Sequence, residues 1–338
     1  MKKKNFIKRS TLPEASLCAK THAKVFRTAT FRSATVFRSA AFCAAVFLLA
    51  GCGNDNESAT ADGNGSRVPL EVTGGISAQT RAADAAWAAS DAIGIYMLKS
   101  GTTDIAESSA NRRYTTAQGD GRFSADAGAS IYYPIDGSKV DFLAYYPHSA
   151  SGVADGKYAL DLSDQSHLPA IDLMSASVSG KDKSAPGVAF NFHHLLTKLE
   201  LVNTPGTGIT ASELEGMTVE ITGQRTAASY DILFEALNVA DALTTVTLNT
   251  SADGKKSAAI LFPNTETAVN PIVPGRQLVF TLKTGGEKFY WNIPDDKSFN
   301  AGEKNIYTIT INRSGLEVTS SITDWTSGNG TGEEGNAQ

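Results

Sequence analysis

Short runs in which apolar and polar residues alternate recur along the chain from about residue 67 to residue 325. β-Branched and aromatic residues fill these runs, and Gly, Pro and Asp separate them, which is typical of β-strands joined by turns. In the run NIYTITIN, Tyr307, Ile309 and Ile311 fall on one face of the predicted strand. Further strands are predicted at 93–98, 130–134, 139–147, 188–192, 198–203, 217–222, 258–263, 277–283, 288–293 and 316–322. No long helical pattern competes, so the sequence predicts an all-β fold.

The length of this β-rich region and its many short strands predict two β-sandwich domains in tandem. The segment VSGKDKSAPG, residues 178–187, is polar and contains Pro and Gly, so we expect the domain boundary there. The expected organisation is one sandwich at 67–186 and a second at 187–325. A flexible Gly-rich tether is expected at 52–66 and a disordered polar tail at 326–338. We find no fixed-period repeat in the sequence.

Residues 1–51 carry the pattern of a secretory signal peptide. Residues 1–39 contain ten Lys and Arg against one acid, Glu14, and the uncharged run that follows is shorter than the ~20 residues needed to cross a bilayer. The run ends in Leu49, Ala50, Gly51 and Cys52, which resemble the lipobox of bacterial lipoproteins. In that family the cysteine is lipidated and the leader is cut before it. A plain signal peptide with an incidental cysteine is the alternative, and the long basic region is also consistent with a later translation start.

Removal of the leader changes what the cysteines and the charge imply. Cys18 and Cys43 leave with the leader and Cys52 becomes a thioether, so we expect no free thiol and no disulfide in the mature chain. The chain has 30 Lys and Arg against 35 Asp and Glu, and 20 against 34 remain without the leader. Such an acidic protein is not expected to bind nucleic acid. Asp55 and Glu57 resemble an outer-membrane export signal, although a solvated linker has the same composition.

A search for catalytic or metal-binding groups yields none that we expect to act. The chain contains no HExxH, P-loop or GxSxG motif. His193 and His194 are adjacent on a predicted strand, so they point to opposite faces and are expected to be structural. Asp295 and Asp296 are interpreted as a turn, with a cation site as the alternative. Aromatic clusters at 132–133, 145–146 and 289–291 are interpreted as core rather than as a sugar-binding platform.

Several ordered phrases resemble the fimbrillin-like proteins, or type V pilins, which are lipoprotein pilus subunits of gut and oral Gram-negative anaerobes. These phrases occupy residues 80–97, 132–147, 188–202 and 299–325, and the lipobox precedes them. The resemblance implies two transthyretin-like β-sandwiches in series. It also implies assembly by strand exchange, in which a protease cuts after an arginine in an early loop and the first strand leaves. A strand from a neighbouring subunit, usually its C-terminal segment, then fills the groove.

Mapped onto this chain, the resemblance implies that the first strand is RVPLEVTG, residues 67–74, with Val68, Leu70 and Val72 on one face. Arg81 in the following small-residue loop is the candidate cleavage site, Arg67 is the second choice, and a solvated loop residue is the alternative interpretation of Arg81. The chain after Trp325 is polar and Gly-rich, so the candidate donor strand is residues 315–325, in which Leu316, Val318, Ser320 and Ile322 alternate. A stalk, tip or anchor role therefore stays open.

Three functions compete at this point. The first is a structural and adhesive pilus subunit that is lipid-anchored in the outer membrane, has other pilin subunits as partners and then joins the fimbria. The second is a non-polymerising surface lipoprotein that binds glycans. The third is a secreted β-rich enzyme, for which the sequence offers no mechanism. We therefore expect a non-enzymatic protein with no metal and no cofactor other than the lipid on Cys52.

Overall fold

The computed structural model describes residues 67–77, 86–265, 270–324 and 333–336, and the last four together with 323–324 by their backbone only. Cys52, the lipobox residues Leu49, Ala50 and Gly51, and Arg81 lie outside these ranges. All described residues belong to one compact unit, Ala61–Gln338.

Twenty-one strands and two short 3₁₀ helices, Leu168–Ala170 and Ala211–Glu213, form the described part of the chain. The first nine strands are β1 (Glu71–Ile76), β2 (Ala92–Lys99), β3 (Arg112–Thr115), β4 (Arg122–Ala125), β5 (Val140–Tyr146), β6 (Val153–Ala154), β7 (Lys157–Asp161), β8 (Met174–Lys181) and β9 (Gly187–His194). The others are β10 (Thr197–Pro205), β11 (Thr218–Arg225), β12 (Ala227–Asp231), β13 (Ala236–Val239), β14 (Leu243–Thr247), β15 (Asn249–Thr250), β16 (Lys256–Leu261), β17 (Gln277–Thr281), β18 (Lys288–Asn292), β19 (Glu303–Asn312), β20 (Gly315–Asp324) and β21 (Glu333–Asn336). The predicted all-β fold is confirmed.

The N-terminal strands close into a barrel in the order β1-β4-β3-β2-β5-β8-β9. Closure depends on β1, which pairs antiparallel with β4 and parallel with β9. Because side chains alternate along each strand, one face of every strand enters a shared core that contains Ile93, Phe142 and Phe192. The barrel therefore depends on a strand that begins only a few residues into the described chain.

The C-terminal strands form two sheets that face each other across a second core. One sheet has the order β15-β16-β10-β19-β20-β21 and the other the order β14-β11-β17-β18. Tyr307, Ile309 and Ile311 are buried in this core, as the alternation in β19 predicts. Two packed sheets with one apolar core between them are a β-sandwich.

A third small sheet, in the order β13-β12-β7-β6, draws strands from both halves of the chain. It encloses a third core that includes Tyr145 from the barrel and Ile260 from the sandwich. The predicted division at 186/187 stays a prediction. β9, which lies just after this division, pairs with β1 inside the barrel.

Two local expectations differ from the structure. The predicted strand at 130–134 is an extended segment with one isolated bridge, Pro69 to Tyr132. The predicted linker at 178–187 is shorter, because β8 continues to Lys181 and β9 begins at Gly187. In both cases the residues pair with strands that are distant in sequence, which short-range patterns do not encode.

Candidate functional site

The first strand is bonded on both sides. On one side residues 71–76 pair with residues 187–192 of β9, and on the other Val72 and Thr73 pair with β4. The bonding extends past both ends of the strand, because the Leu70 N–H donates to the Ile131 carbonyl at 2.9 Å and the Ser77 N–H donates to the Phe192 carbonyl at 2.7 Å. We call the space between β4 and β9 that residues 68–77 fill the first-strand groove.

Four apolar side chains of the first strand face the barrel core. Leu70 and Val72 are buried, and Val68 and Ile76 are partly buried against the same core. The sequence predicted this common face for Val68, Leu70 and Val72, and the prediction is confirmed. Full burial of a large apolar side chain contributes about 1.5–3 kcal/mol, so these contacts stabilise β1 in the barrel.

Gly74 packs against the phenyl rings of Phe123 and Phe192 in the groove. A Cβ atom placed there would lie 3.1 Å from Phe123 Cε2 and 3.2 Å from Phe192 Cε2. Such distances are shorter than ordinary van der Waals contact, so the rings would have to move to admit a side chain. At the next residue, Gly75, the same atom would meet nothing within 4 Å.

Trp87 fixes the first strand from the far side of the 78–85 segment. Its indole Nε1–H donates to the Gly74 carbonyl at 2.7 Å in a buried position. Its ring makes edge-to-face contacts with three aromatic rings, with centroid distances of 5.1, 5.3 and 5.2 Å to Phe123, Tyr146 and Phe192. Sequence reasoning did not single out Trp87, although a lone Trp that follows a run of small residues was a usable signal.

Burial also fixes the protonation of a tyrosine next to the groove. Burial raises the pKa of Tyr133 to about 12, so its hydroxyl stays protonated at neutral pH. This hydroxyl donates to the Pro186 carbonyl at 3.2 Å, and the Tyr133 N–H donates to the Val68 carbonyl at 3.0 Å. Tyr133 therefore links the chain before β1 to the turn that precedes β9.

The two candidate cleavage residues have different relations to the first strand. Arg67 is exposed and its guanidinium carbon lies 5.8 Å from the centre of the Tyr132 ring. A cut after Arg67 would leave β1 covalently joined to the barrel. Arg81 lies outside the described residues, between β1 and Trp87, so a cut there would separate β1 from the rest of the chain.

The candidate donor strand lies within its own sheet. Residues 315–324 of β20 pair with β19 along their whole length, and the backbone of β21 pairs with residues 317–320 on the other side. Leu316 and Val318 are buried in the sandwich core, whereas Ser320 and Ile322 are half-buried. Residues 315–324 therefore have partners already, and donation to a neighbour requires that they leave them.

The remaining candidate residues have structural surroundings. His193 is exposed and His194 is buried, with its Nδ1 2.9 Å from an Asp172 carboxylate oxygen. Asp295 accepts a hydrogen bond from the Gly275 N–H at 2.8 Å in a turn. Among the described residues no group of His, Cys, Asp and Glu could hold a metal ion, and no helix is long and apolar enough to cross a membrane.

The aromatic clusters are mostly core, as predicted. The side chains at 145–146 are buried, and so are Tyr133, Phe289 and Trp291. Tyr132 and Tyr290 are the exposed members of their clusters. They lie on different halves of the chain, one beside the first-strand groove and the other on β18.

Comparison with known proteins gives a consistent result. Residues 80–325 match a family model described as fimbrillin-like. A curated protein of Bacteroides uniformis, named "Putative fimbrium subunit Fim1C", is 44% identical over 312 residues, which cover 89% of this chain and 99% of that protein.

Solved structures agree with this match. A crystal structure described as a "putative cell adhesion protein" from Bacteroides uniformis is 40% identical with a TM-score of 0.67, and the match covers 77% of this chain and 99% of that one. Another with the same description, from Bacteroides ovatus, has a TM-score of 0.62 at 21% identity and covers 78% of this chain and 100% of that one. The second similarity concerns the fold alone.

Proposed function

The chain belongs to the fimbrillin-like family, and from that premise we propose that it is a fimbrial subunit that assembles by exchanging its first strand for a strand of a neighbouring subunit. The family is one of fimbrial and cell adhesion proteins, which implies a location at the cell surface. The relatives named as a fimbrium subunit and a cell adhesion protein support the proposal at this level.

The position of β1 is the observation that carries the proposal. It closes the barrel between β4 and β9, and its only covalent link to the barrel runs through the segment that contains Arg81. After a cut at Arg81, hydrogen bonds and four apolar side chains alone would hold the strand. Its departure would leave two unpaired strand edges and an apolar groove, which is the arrangement that a donated strand completes.

The order of the segments gives the cut a second consequence. Cys52, the proposed site of lipid attachment to the outer membrane, precedes β1 in the chain, and Arg81 follows β1. One cut after Arg81 therefore has two effects: it releases the subunit from its anchor, and it allows β1 to leave the first-strand groove. The uncut precursor would be an anchored monomer, and the cut subunit would be competent for assembly.

Glycan binding has less to support it. Sugar-binding platforms place several aromatic rings on one exposed surface. The exposed aromatic side chains of the described residues are Tyr132, Phe234 and Tyr290, which belong to three separate segments. No specific observation favours this function over assembly.

The proposal is tested by native proteolysis of the mature chain. We expect trypsin to cut after Arg81 before most other Lys and Arg residues, and the cut protein to form ladders that survive mild detergent. Arg81→Ala should stay uncut at this position and form no ladders. Arg67→Ala is the matched control and should assemble as the wild type does, because a cut there leaves β1 attached. If the cut wild-type protein stays monomeric at high concentration, assembly by its own strands is wrong.

A further inference from the structure

Two strands of this chain carry nearly the same sequence. Residues 70–76, in the first strand, are LEVTGGI, and residues 316–322, in β20, are LEVTSSI. Five of the seven residues are identical and in the same order. The differences are confined to two adjacent positions, where Gly74 and Gly75 correspond to two serines.

The matching residues also have matching environments. Leu70 and Val72 are buried in the barrel core, and the corresponding Leu316 and Val318 are buried in the sandwich core. The Glu and Thr residues that alternate with them are exposed in both strands. The two segments therefore present the same apolar face and the same polar face. A similarity of composition alone would not give this agreement in burial.

We propose that residues 316–322 of a neighbouring copy fill the first-strand groove in the register of residues 70–76, with Ser320 at the position of Gly74. The inference rests on the strand exchange proposed above and adds the register of the donated strand to it. Because the residues occur in the same order, the incoming strand runs parallel to β9 and antiparallel to β4, as β1 does. It contains no proline, so every backbone N–H is available for these pairings.

A residue with a side-chain hydroxyl follows the shared segment in both strands. The Ser77 hydroxyl donates to the Asn191 side-chain oxygen at 2.7 Å, and its N–H donates to the Phe192 carbonyl at 2.7 Å. Thr323 follows the C-terminal copy of the segment at the corresponding place. A threonine can make both bonds, so the match extends one residue beyond the heptapeptide.

The phenyl rings beneath Gly74 determine which residues can occupy this position. A Cβ atom there would lie 3.1 and 3.2 Å from Phe123 and Phe192, so a serine fits only if the rings move by a few tenths of an ångström. At Gly75 nothing lies within 4 Å, so the second serine fits without movement. Ser320 is therefore the tight position of the donated strand and Ser321 is not.

The same rings select the register. A slip of one residue would turn Glu317 and Thr319 into the apolar core, because side chains alternate along a strand. A slip of two residues would restore the alternation but place Val318 or Ile322 against the rings. Either branched side chain is too large for a position that barely admits a Cβ atom.

A disulfide between subunits tests the register directly. Thr73 is the cross-strand partner of Arg122, and the neighbouring Gly74 N–H donates to the Gly121 carbonyl. The pair formed by residues 73 and 122 is therefore a non-hydrogen-bonded pair, whose side chains lie close enough for a disulfide. All three cysteines precede residue 53, so a chain expressed from Gly53 gives a background without lipid or thiol.

In that background, we expect Arg122→Cys with Thr319→Cys to form an inter-subunit disulfide on oxidation of the trypsin-cut protein. Mass spectrometry of the linked peptides identifies the joined positions and separates links between subunits from links within one. The control, Arg122→Cys with Ser321→Cys, moves the second thiol by two residues and should not link. Ladders linked through position 321 instead, or ladders linked through neither position, overturn the proposed register.

Substitution of the tight position provides a second measurement. We expect Ser320→Val to raise the protein concentration needed for half-maximal ladder formation by about tenfold or more, as overpacking in a filled core does. Ser320→Gly should lower it, whereas Ser321→Gly, which adds the same backbone freedom over open space, should lower it less. Equal effects of the two glycine substitutions would contradict the role given to the phenyl rings.

Failure of assembly and failure of the register give different results. If no ladders form, the proposed assembly is wrong, and the register is then tested with a peptide of residues 313–324 that carries Thr319→Cys. Linkage of this peptide to cut protein that carries Arg122→Cys, from which residues 67–81 have been removed, supports the register independently. Absence of this linkage overturns it.

Discussion

Replacement of Trp87 by phenylalanine isolates one interaction that holds the first strand. The indole N–H donates to the Gly74 carbonyl at 2.7 Å, and the ring packs against three aromatic neighbours. Phenylalanine keeps an aromatic ring among these neighbours but has no donor. The substitution therefore acts on the hydrogen bond first and on packing second.

The size of the effect follows from the burial of the bond. Leaving a buried carbonyl without its donor costs about 1–3 kcal/mol, and the smaller ring leaves a cavity that costs roughly 1 kcal/mol more. We expect the free energy of unfolding to fall by about 2–4 kcal/mol, which lowers the urea midpoint by about 1 M or more at the usual denaturant dependence. After a cut at Arg81, residues 67–81 should leave the barrel at least about tenfold faster, since 1.4 kcal/mol corresponds to a factor of ten.

Two assays measure this prediction. Urea unfolding of the uncut protein gives the change in stability, and gel filtration of the cut protein over time gives the release of the fragment. Trp291→Phe is the matched control, because Trp291 is buried in the sandwich core, whereas β1 packs in the barrel core. It should lower stability without faster release. Wild-type values in both assays for Trp87→Phe, or equal acceleration by Trp291→Phe, would refute the reasoning.

Three further predictions concern other parts of the chain. Gly74→Val should lower the free energy of unfolding by about 1–3 kcal/mol by overpacking the two phenyl rings, whereas Gly75→Ala should change it by no more than about 0.5 kcal/mol in urea unfolding. Hydrogen bonds from Arg313 lower the pKa of Glu213 from its usual 4.5 to about 2. This carboxylate therefore contributes stability above pH 4.5 that is lost as the pH falls through 2, and Arg313→Met should flatten the unfolding profile between these values. Cys52→Ala should abolish palmitate incorporation and leave the leader uncut, and labelled lipid in the variant would contradict the lipobox assignment.

The sequence alone predicted the strands in which apolar and polar residues alternate strongly. β19 shows this best, because its predicted inward residues Tyr307, Ile309 and Ile311 are the buried ones. Short strands such as β3 and β4 were missed, since four residues carry too little alternation to stand out. The common face of Val68 and Leu70 was predicted from the same rule and holds in the structure.

The pairing of distant strands was not predictable in the same way. Neither the parallel pairing of β1 with β9 nor the antiparallel pairing of β7 with β12 leaves a local pattern in the sequence. The domain boundary was predicted from the polar composition of residues 178–187. The barrel, in contrast, depends on which strand edges form hydrogen bonds with each other. For the same reason the candidate site was found only in part, because the roles of Trp87 and Gly74 arise from contacts across the groove.

The similarity between residues 70–76 and 316–322 became meaningful only with the burial of both segments. A single repeated heptapeptide has no period, so a search for repeats passes over it. Strands often share an alternating pattern, but here one glycine of the first copy, Gly74, lies where a Cβ atom would crowd two phenyl rings. The structure therefore adds two facts to the sequence similarity: the two segments bury the same positions, and Gly74 is the position where a larger residue is crowded.

The competition between these two strands explains why a cut would be needed for assembly. While β1 is joined to the barrel, its effective concentration at the groove is of millimolar order, so a strand from another molecule competes poorly. A neighbour's β20 also has to leave β19, and the burial of Leu316 and Val318 that it loses at home is about what it gains in the groove. The free energy of side-chain burial therefore favours neither the original pairing of β20 nor its insertion into the groove. The direction comes from the cut, after which β1 is no longer joined to the barrel and stays behind with the lipid-bearing segment, whereas the released subunit meets the β20 strands of other subunits.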